Sequence, residues 1–468
     1  MLALETIRRI EKEQESRFED KLIVNYDLDR TLVSFQANKR RNRYRWFKYK
    51  EGFSAALVQY LLDKLRIDSG RLLDPFAGSG ATLFEAAKRG LNSVGIELLP
   101  VGCQVIEAHK HACNNASAIA AVLGRWLEEK PWQSEKESIP FRHLRITQGA
   151  FPSDTERSLA HYLAATEKEP EPAQAMLRFA ALCILEEVSY TRKDGQYLRW
   201  DYRSGRKQGV KPFDKGVLAL FDEAIEAKLT QIRDDLRGQS LDLFPEPETG
   251  NIDVLCGSCL DHLPRMEPRS FDGLITSPPY CNRYDYTRTY ALELAFLGTS
   301  EKQLRSLRQE MVSCTVENRE KMDLRANFDP DLFARAEKAF KGQELLARIL
   351  HYLEARKQAK LLNNNGIPRM VRNYFREMAL VIFECARLLK PGAPLVMVND
   401  NVRYEGAAVP VDLILSDIAE QAGFEVETIW VLPVGKGNSS QQMGKHGRDE
   451  LRKCVYVWRM PITPRARR

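Results

Sequence analysis

The strongest chemical signal in the sequence is a short polar turn that follows an apolar segment. Residues 271–276 are typical of a buried strand, and they are followed at once by Ser277, Pro278, Pro279 and Tyr280. The Ser277 hydroxyl and the Pro278 carbonyl can accept hydrogen bonds from an amine, while the two prolines remove backbone donors that would compete. Accepting both protons of a conjugated amine directs its lone pair towards an electrophile. Tyr280 offers a flat face on which an extruded ring could stack. The turn therefore predicts direct transfer to an amine, without a covalent enzyme intermediate.

A glycine-rich turn marks a second chemical site. It runs over residues 74–80, after a short apolar strand and before a helix that starts near residue 81. Gly78 and Gly80 allow a tight turn and a close approach of the main chain to a ligand. The segment has neither the phosphate-loop lysine nor the dinucleotide fingerprint. Glu97 ends the next predicted strand, where its carboxylate can accept both hydroxyls of a ribose. The pattern favours a ligand that joins an adenosine to an amino acid.

These segments resemble the motifs of the DNA amino-methyltransferases. Residues 74–80 resemble motif I, and residues 276–280 resemble motif IV. Residues 49–58 look like motif X, Glu97 fits motif II, and residues 254–258 stand where motif III belongs. That third motif often carries Asp where this chain has Ser258. Motifs X and I precede motif IV, unlike the permuted order frequent among Ser-Pro-Pro-Tyr enzymes.

The resemblance implies S-adenosyl-L-methionine as the cofactor and the exocyclic N4 amine of cytosine in DNA as the acceptor. The implied catalytic residues are the four of the Ser277–Tyr280 turn. The implied cofactor-binding residues are Phe53, Asp74, Pro75, Phe76, Gly78, Gly80, Glu97, Leu98 and Ser258. Three alternatives stay open: an N6-adenine DNA methyltransferase, whose first motif IV residue is more often Asp or Asn, an RNA base methyltransferase, and a non-catalytic nucleic-acid binding protein on the same scaffold.

The elements that must position these residues form one sheet with two interruptions. The predicted fold class is α/β: a Rossmann-like S-adenosylmethionine-dependent methyltransferase sheet with a terminal antiparallel hairpin and two helical insertions. Helical patterns interrupt the strand–helix alternation twice. The predicted division is an N-terminal helical arm at 1–35, a catalytic domain at 36–110 with 250–298 and 366–462, a helical insertion for target recognition at 111–249, and a second helical insertion at 299–365.

The net charge of +6 is unevenly distributed. Residues 39–50 combine cations with aromatic side chains and contain no acid, and residues 190–211 form a second basic and aromatic stretch. Such stretches suit phosphate contact together with stacking, although a solvated basic loop is the alternative. A polar loop at 435–451 adds further cations. The predicted DNA-binding residues are Arg41, Arg43, Arg45, Arg192, Arg199, Arg203, Arg206, Lys445 and Arg448.

The composition and the first residues predict a cytoplasmic protein. The sequence has 44% hydrophobic and 29% charged residues and shows no signal peptide or membrane-spanning run. Its nine scattered cysteines are expected to be reduced thiols, and Cys256-x-x-Cys259 lacks the further ligands of a zinc site, so no metal is predicted. The expected partners are double-stranded DNA with a flipped base and a restriction endonuclease, at a cytoplasmic, nucleoid-associated location.

Overall fold

The computed structural model describes residues 2–194, 197–209, 211–239, 250–433 and 451–462. Twelve strands are present in these residues. They are β1 (Leu22–Val24), β2 (Arg71–Asp74), β3 (Asn92–Glu97), β4 (Thr191–Asp194), β5 (Tyr197–Trp200), β6 (Ile252–Cys256), β7 (Gly273–Thr276), β8 (Pro394–Asp400), β9 (Val402–Tyr404), β10 (Ala407–Val409), β11 (Glu425–Val431) and β12 (Lys453–Arg459).

The helices of the same residues surround the strands. They are α1 (Leu2–Arg17), α2 (Ala55–Leu65), α3 (Ala81–Ala87), α4 (Pro100–Glu129), α5 (Pro131–Ser134), α6 (Ser153–Thr166), α7 (Ala173–Val188), α8 (Phe221–Gln239), α9 (Cys259–His262), α10 (Tyr286–Thr289), α11 (Ala291–Phe296), α12 (Glu301–Glu310), α13 (Pro330–Gly342), α14 (Glu344–Gln358), α15 (Ile367–Leu388) and α16 (Val411–Ala422). None of these helices has the length and apolar character needed to cross a bilayer.

A mixed sheet of eight strands forms the centre of the molecule, in the order β1-β11-β12-β8-β7-β2-β3-β6. Strand β12 runs antiparallel to both of its neighbours, and every other neighbouring pair is parallel. The prediction of an α/β protein with a parallel-rich central sheet is confirmed. The carboxyl ends of β2, β3, β6 and β7 meet at one edge, which is where ligands bind in parallel sheets.

Local sequence signals account for the β2–α3–β3 unit and the helix before it. The Ser54 hydroxyl accepts a hydrogen bond from Leu57 N and begins α2 at residue 55, as its N-cap position predicts. Gly78 and Gly80 adopt left-handed φ angles of 55° and 81° in the turn before α3. A side chain at either position would be strained, so the two glycines are required by the backbone itself.

The ends of the sheet differ from the sequence expectation. The predicted N-terminal helical arm contains β1, which pairs with β11 in the register Leu22↔Ile429 and so extends the sheet. Residues 251–255 have the apolar pattern of a buried strand, but β6 is the opposite edge strand and is only partly covered. Both differences depend on which strand lies alongside, and strand propensity carries no such information.

The two predicted insertions are largely helical. The long helix α4 continues from the β3 end into the first insertion and bends at Asn115, whose φ is −136°. The basic and aromatic stretch at 190–211, for which a solvated loop was the alternative, contains the two-stranded ribbon β4–β5. The second insertion contributes α12, α13 and α14, with α13 and α14 packing on α15.

Two of the cysteines are paired. Cys103, in the first turn of α4, forms a disulfide with Cys256 at the end of β6. The expectation that all cysteines are reduced thiols is therefore wrong for these two residues. Cys259 is buried, and burial raises the pKa of its thiol. Within the described ranges, no three His, Cys, Asp or Glu side chains come together as a metal site would require.

Candidate active site

A cavity at the carboxyl ends of the parallel strands brings together most of the predicted site. The predicted residues that line it are Phe53, Pro75, Phe76, Gly78, Glu97, Leu98, Ser258, Ser277 and Pro279. Four other predicted residues, Asp74, Gly80, Pro278 and Tyr280, belong to the same turns but do not line the cavity. Segments 200 residues apart in sequence therefore converge because their strands are neighbours in the sheet.

Glu97 holds the glycine-rich turn against the next strand end. Its Oε2 accepts a hydrogen bond from Gly78 N at 2.7 Å, and its Oε1 accepts one from Leu99 N at 2.8 Å. Each carboxylate oxygen keeps a second lone pair for a ligand hydroxyl. Burial raises the pKa of Glu97 to about 7, although both backbone donors lower it. The carboxyl group is thus poised between its two protonation states near neutral pH.

Asp74 joins the two predicted motifs directly. Its Oδ1 accepts hydrogen bonds from Thr276 Oγ1 at 2.6 Å and from Phe76 N at 3.1 Å. The residue is buried, and desolvation raises its pKa to about 6. Since Thr276 immediately precedes the Ser277 turn, this bond fixes the distance between the glycine-rich turn and the polar turn. Asp74 therefore holds the two turns together by hydrogen bonds and does not itself line the cavity.

The approach of α4 to the cavity depends on a glycine that the sequence analysis did not single out. A Cβ at Gly102 would lie 2.6 Å from both Glu97 Cγ and the Gly78 carbonyl oxygen. Gly102 thus allows the helix, the acid and the glycine-rich turn to pack together. Phe53, Phe76 and Leu98 supply apolar surface in the same cavity. An acid with spare lone pairs beside a close-packed main chain and apolar walls fits an adenosine-bearing cofactor.

Ser277 is oriented by the neighbouring strand. Its Oγ donates a hydrogen bond to the carbonyl of Val398 in β8 at 3.1 Å and lies 3.4 Å from the Tyr280 hydroxyl. With its single proton donated to Val398, the hydroxyl presents lone pairs as acceptors. Burial raises the pKa of Tyr280, so its ring stays neutral. This arrangement can accept a hydrogen bond from an amine beside an aromatic ring.

Several residues of the cavity carried no motif. Glu51 and Tyr286 line it, and so do Met311 and Val312 from the segment after α12. The hydroxyls of Tyr284 and Tyr290 donate to the two carboxylate oxygens of Glu51. Tyr286 lies in the segment that follows the polar turn. Met311 and Val312 had no sequence signal, because only the fold places that insertion over the cavity.

The sequence of residues 282–286 permits either a wall of the base pocket or a surface ion pair between Arg283 and Asp285. Arg283 Nη1 instead donates to Asn363 Oδ1 at 3.0 Å. Asp285 caps α10 and forms an ion pair with Arg308 at 3.0 Å. Both side chains therefore tie the second insertion to the segment that follows Tyr280.

The first basic stretch is built into the junction between the sheet and the first insertion. Arg45 Nε donates to the buried Asp235 at 3.0 Å, and the guanidinium of Arg41 lies 3.5 Å from the buried Glu85. Arg43 Nη1 contacts Cys113 Sγ at 2.7 Å. The interleaved Tyr44, Trp46 and Phe47 are buried and offer no exposed stacking surface, contrary to expectation. Tyr49 is also buried but lines the cavity.

The second basic stretch is divided between anchoring and exposed cations. Arg203 pairs with Asp201 at 2.7 Å, and Arg206 donates to the backbone carbonyls of residues 145, 146 and 148. Arg192 and Arg199 are cross-strand neighbours in the β4–β5 ribbon and are both exposed. Arg199 also pairs with Asp194 at 3.0 Å. The predicted contacts of Lys445 and Arg448 lie outside the described residues.

The opposite face of the ribbon is anchored by a buried ion pair. Lys193 and Glu293 form it, with side chains 3% and 2% exposed. Lys193 Nζ also lies 4.4 Å from the ring centroid of Tyr290. Because Tyr290 contacts Glu51 at the cavity, the ribbon is connected through packed side chains to the candidate active site.

Comparison with known proteins extends over nearly the whole chain. A family model described as a DNA methylase matches residues 8–108. The chain is 52% identical over 463 residues to the type II methyltransferase M.AvaI of Nostoc sp., and the aligned region covers 98% of this chain and 95% of that protein. It is 41% identical over 455 residues to the type II methyltransferase M.BsoBI of Geobacillus stearothermophilus, covering 92% of this chain and 88% of that protein. These similarities span both insertions as well as the sheet.

Proposed function

The chain belongs to the DNA amino-methyltransferase family, and from that membership we propose that it transfers a methyl group from S-adenosyl-L-methionine to the N4 amine of cytosine at specific sites in double-stranded DNA. The observation that carries the proposal is the hydrogen bond from Ser277 Oγ to the Val398 carbonyl. It orients the hydroxyl so that its lone pairs can accept a proton of the target amine. The Pro278 carbonyl is the proposed second acceptor, and Tyr280 is the proposed stacking face.

The proposed cofactor site uses the residues around the glycine-rich turn. When bound, S-adenosyl-L-methionine supplies an electrophilic methyl group. Glu97 would accept the ribose hydroxyls through its remaining lone pairs, and Phe53 and Leu98 would pack against the ligand. Ser258 donates to the Glu310 carbonyl at 2.9 Å and lines the same cavity. Its hydroxyl is therefore held in place by the second insertion.

The choice between cytosine and adenine rests on the serine of the polar turn. A hydroxyl is a weaker acceptor than the carboxylate of Asp-Pro-Pro-Tyr enzymes, and the Ser-Pro-Pro-Tyr form is typical of N4-cytosine methyltransferases. The N6 amine of adenine is chemically similar, so N6-adenine methylation is the second candidate. An RNA base is the third.

Duplex DNA is proposed to lie across the exposed face of the β4–β5 ribbon. A two-stranded ribbon fits the major groove, and cations on its outer face can contact phosphates. Arg192 and Arg199 stand on that face, whereas Lys193 turns inward to Glu293. The ribbon is thus the part of the first insertion that best fits the proposed target-recognition role.

The sheet itself is proposed to be the Rossmann-like methyltransferase sheet that the family resemblance implies. Strands β11 and β12 are antiparallel neighbours, which supports the terminal hairpin, although the residues that join them lie outside the described ranges. The relatives are type II methyltransferases. That designation supports a restriction endonuclease as the partner of this chain.

Analysis of the methylated nucleoside tests the proposal. Protein is incubated with S-adenosyl-L-methionine and mixed-sequence duplex DNA, the DNA is digested, and the nucleosides are identified by mass spectrometry. We expect N4-methyldeoxycytidine. Recovery of N6-methyldeoxyadenosine would change the assigned target base to adenine but leave the proposed transfer to an amine intact. Recovery of 5-methyldeoxycytidine would refute both the N4 assignment and the transfer to an amine. Parallel reactions with transfer RNA should give no methylated base, and a preference for RNA would refute the DNA assignment.

A further inference from the structure

An ion pair stands beside the polar turn and takes no part in the catalysis proposed above. Asp400 ends β8, Lys453 begins β12, and the two residues are direct partners in the antiparallel ladder. Lys453 Nζ lies 3.4 Å from Asp400 Oδ1, and the side chains remain 26% and 35% exposed respectively. The ammonium also lies 5.7 Å from the ring centroid of Tyr280. A cation is therefore held next to the ring on which the target base is proposed to stack.

The same strand end orients the catalytic hydroxyl. Ser277 Oγ donates to the carbonyl of Val398, two residues before Asp400, and lies 3.4 Å from the Tyr280 hydroxyl. Ser277, Tyr280, Asp400 and Lys453 are thus linked in one chain of contacts at one edge of the sheet. A base held with its amine at Ser277 would have its ring edge close to this group.

The charge of Lys453 is secured by its surroundings. Burial lowers the pKa of the ammonium, but the Asp400 carboxylate outweighs burial and raises the pKa above its usual value. Asp400 Oδ1 faces the ammonium at 3.4 Å and has no other hydrogen-bond partner among the described residues. An ammonium carries three donors, so Lys453 can pair with Asp400 and still donate to a ligand near the turn.

We propose that Lys453, positioned by Asp400, donates a hydrogen bond to O2 of the flipped cytosine. This inference rests on the proposed N4-cytosine function. Along its pairing edge, cytosine presents an amine followed by two acceptors, whereas adenine presents an amine, one acceptor and a C–H. An ammonium opposite the third position therefore favours cytosine. Lys453 becomes a base-binding and specificity-determining residue, and Asp400 a positioning residue.

Substitutions at Lys453 test the inference with the complete protein. Lys453→Met keeps the aliphatic stem and removes the donor, and Lys453→Arg keeps a cation. Lys390→Met is the matched control, because Lys390 pairs with Asp272 at 2.7 Å just before the amino end of β8 and is 45% exposed. The substrates are mixed-sequence duplex DNA and, once the methylated site has been mapped, duplexes with cytosine or adenine at the target position.

For Lys453→Met we expect kcat/KM for N4 methylation to fall about 10- to 100-fold, the effect of losing one good base contact. Transfer to adenine and the affinity for S-adenosyl-L-methionine should stay within twofold of wild type. Lys453→Arg should recover part of the cytosine activity, and Lys390→Met should retain all of it.

Two results would overturn the inference while leaving the proposed function intact. One is a Lys453→Met variant that methylates cytosine within twofold of wild type. The other is an equal loss on cytosine, on adenine and in cofactor affinity, which would assign Lys453 to holding the sheet together. If wild-type protein itself yields no N4-methyldeoxycytidine, the proposed function fails and this inference fails with it.

Discussion

Cofactor binding should depend on pH through the ionisation of Glu97. The carboxyl group is buried at the end of β3, and desolvation raises its pKa to about 7 against the opposing effect of the Leu99 and Gly78 amides. Ribose hydroxyls donate hydrogen bonds, and these favour the ionised carboxylate. Binding of S-adenosyl-L-methionine should therefore release a proton from Glu97 and become tighter as the pH rises through 7.

The size of the effect follows from the pKa. A group with a pKa near 7 is ionised to about 10% at pH 6 and to about 90% at pH 8, so the affinity should change about tenfold between these values. Glu97→Gln removes the charge but keeps the shape. It should weaken binding at pH 8 by about 1.5–3 kcal/mol, because a hydrogen bond to a charged acceptor is lost.

Titration calorimetry at pH 6, 7 and 8, in buffers with different ionisation enthalpies, measures both the affinity and the proton release. Glu97→Gln is also the control, because Asp74, with a pKa of about 6, titrates in both proteins. The difference between wild type and variant therefore isolates Glu97. The reasoning is refuted if a folded Glu97→Gln protein shows the same affinity and the same pH dependence as wild type.

Three further predictions concern catalysis, DNA contact and stability. Ser277→Ala removes one acceptor for the amine, and it should lower the single-turnover methyl-transfer rate by about two orders of magnitude while cofactor affinity is unchanged; a rate within threefold of wild type would remove Ser277 from the mechanism. Replacing Arg192 and Arg199 by alanine should flatten the dependence of log K on log salt concentration by about two units, one per lost phosphate contact, and an unchanged slope would mean that the ribbon is merely solvated. Glu293→Ala leaves Lys193 buried without its partner and should lower the free energy of unfolding, measured in urea, by about 3–5 kcal/mol. A loss below about 1 kcal/mol would show that the pair does not anchor the ribbon.

The residues proposed to carry the chemistry have signals in the sequence that are local. A serine cap began α2 at residue 55, and two glycines with positive φ form the turn before α3. The polar turn at Ser277 directly follows a strand with buried residues. Each of these features depends on a few consecutive residues whose backbone preferences are intrinsic. The parallel order of strands between them follows from the alternation of strands and helices.

The surroundings of that site were decided by long-range packing. The aromatic side chains at 44–49 are chemically suited to stacking on a base, yet Asp235 and the first insertion enclose them in the core. Strand β1 joins the sheet because the edge of β11 is available to it. Met311 reaches the cavity because its insertion folds back over the strand ends.

The Lys453–Asp400 pair is likewise a product of long-range packing that the local sequence does not reveal. More than 50 residues separate the two side chains, and neither belongs to a motif, but the antiparallel register of β8 and β12 places them opposite each other beside Tyr280. The types of residue and their local turns were therefore determined by the sequence. Which of these residues meet at the site was decided by strand order and register, because contacts between distant segments depend on the fold as a whole and not on the preferences of either segment.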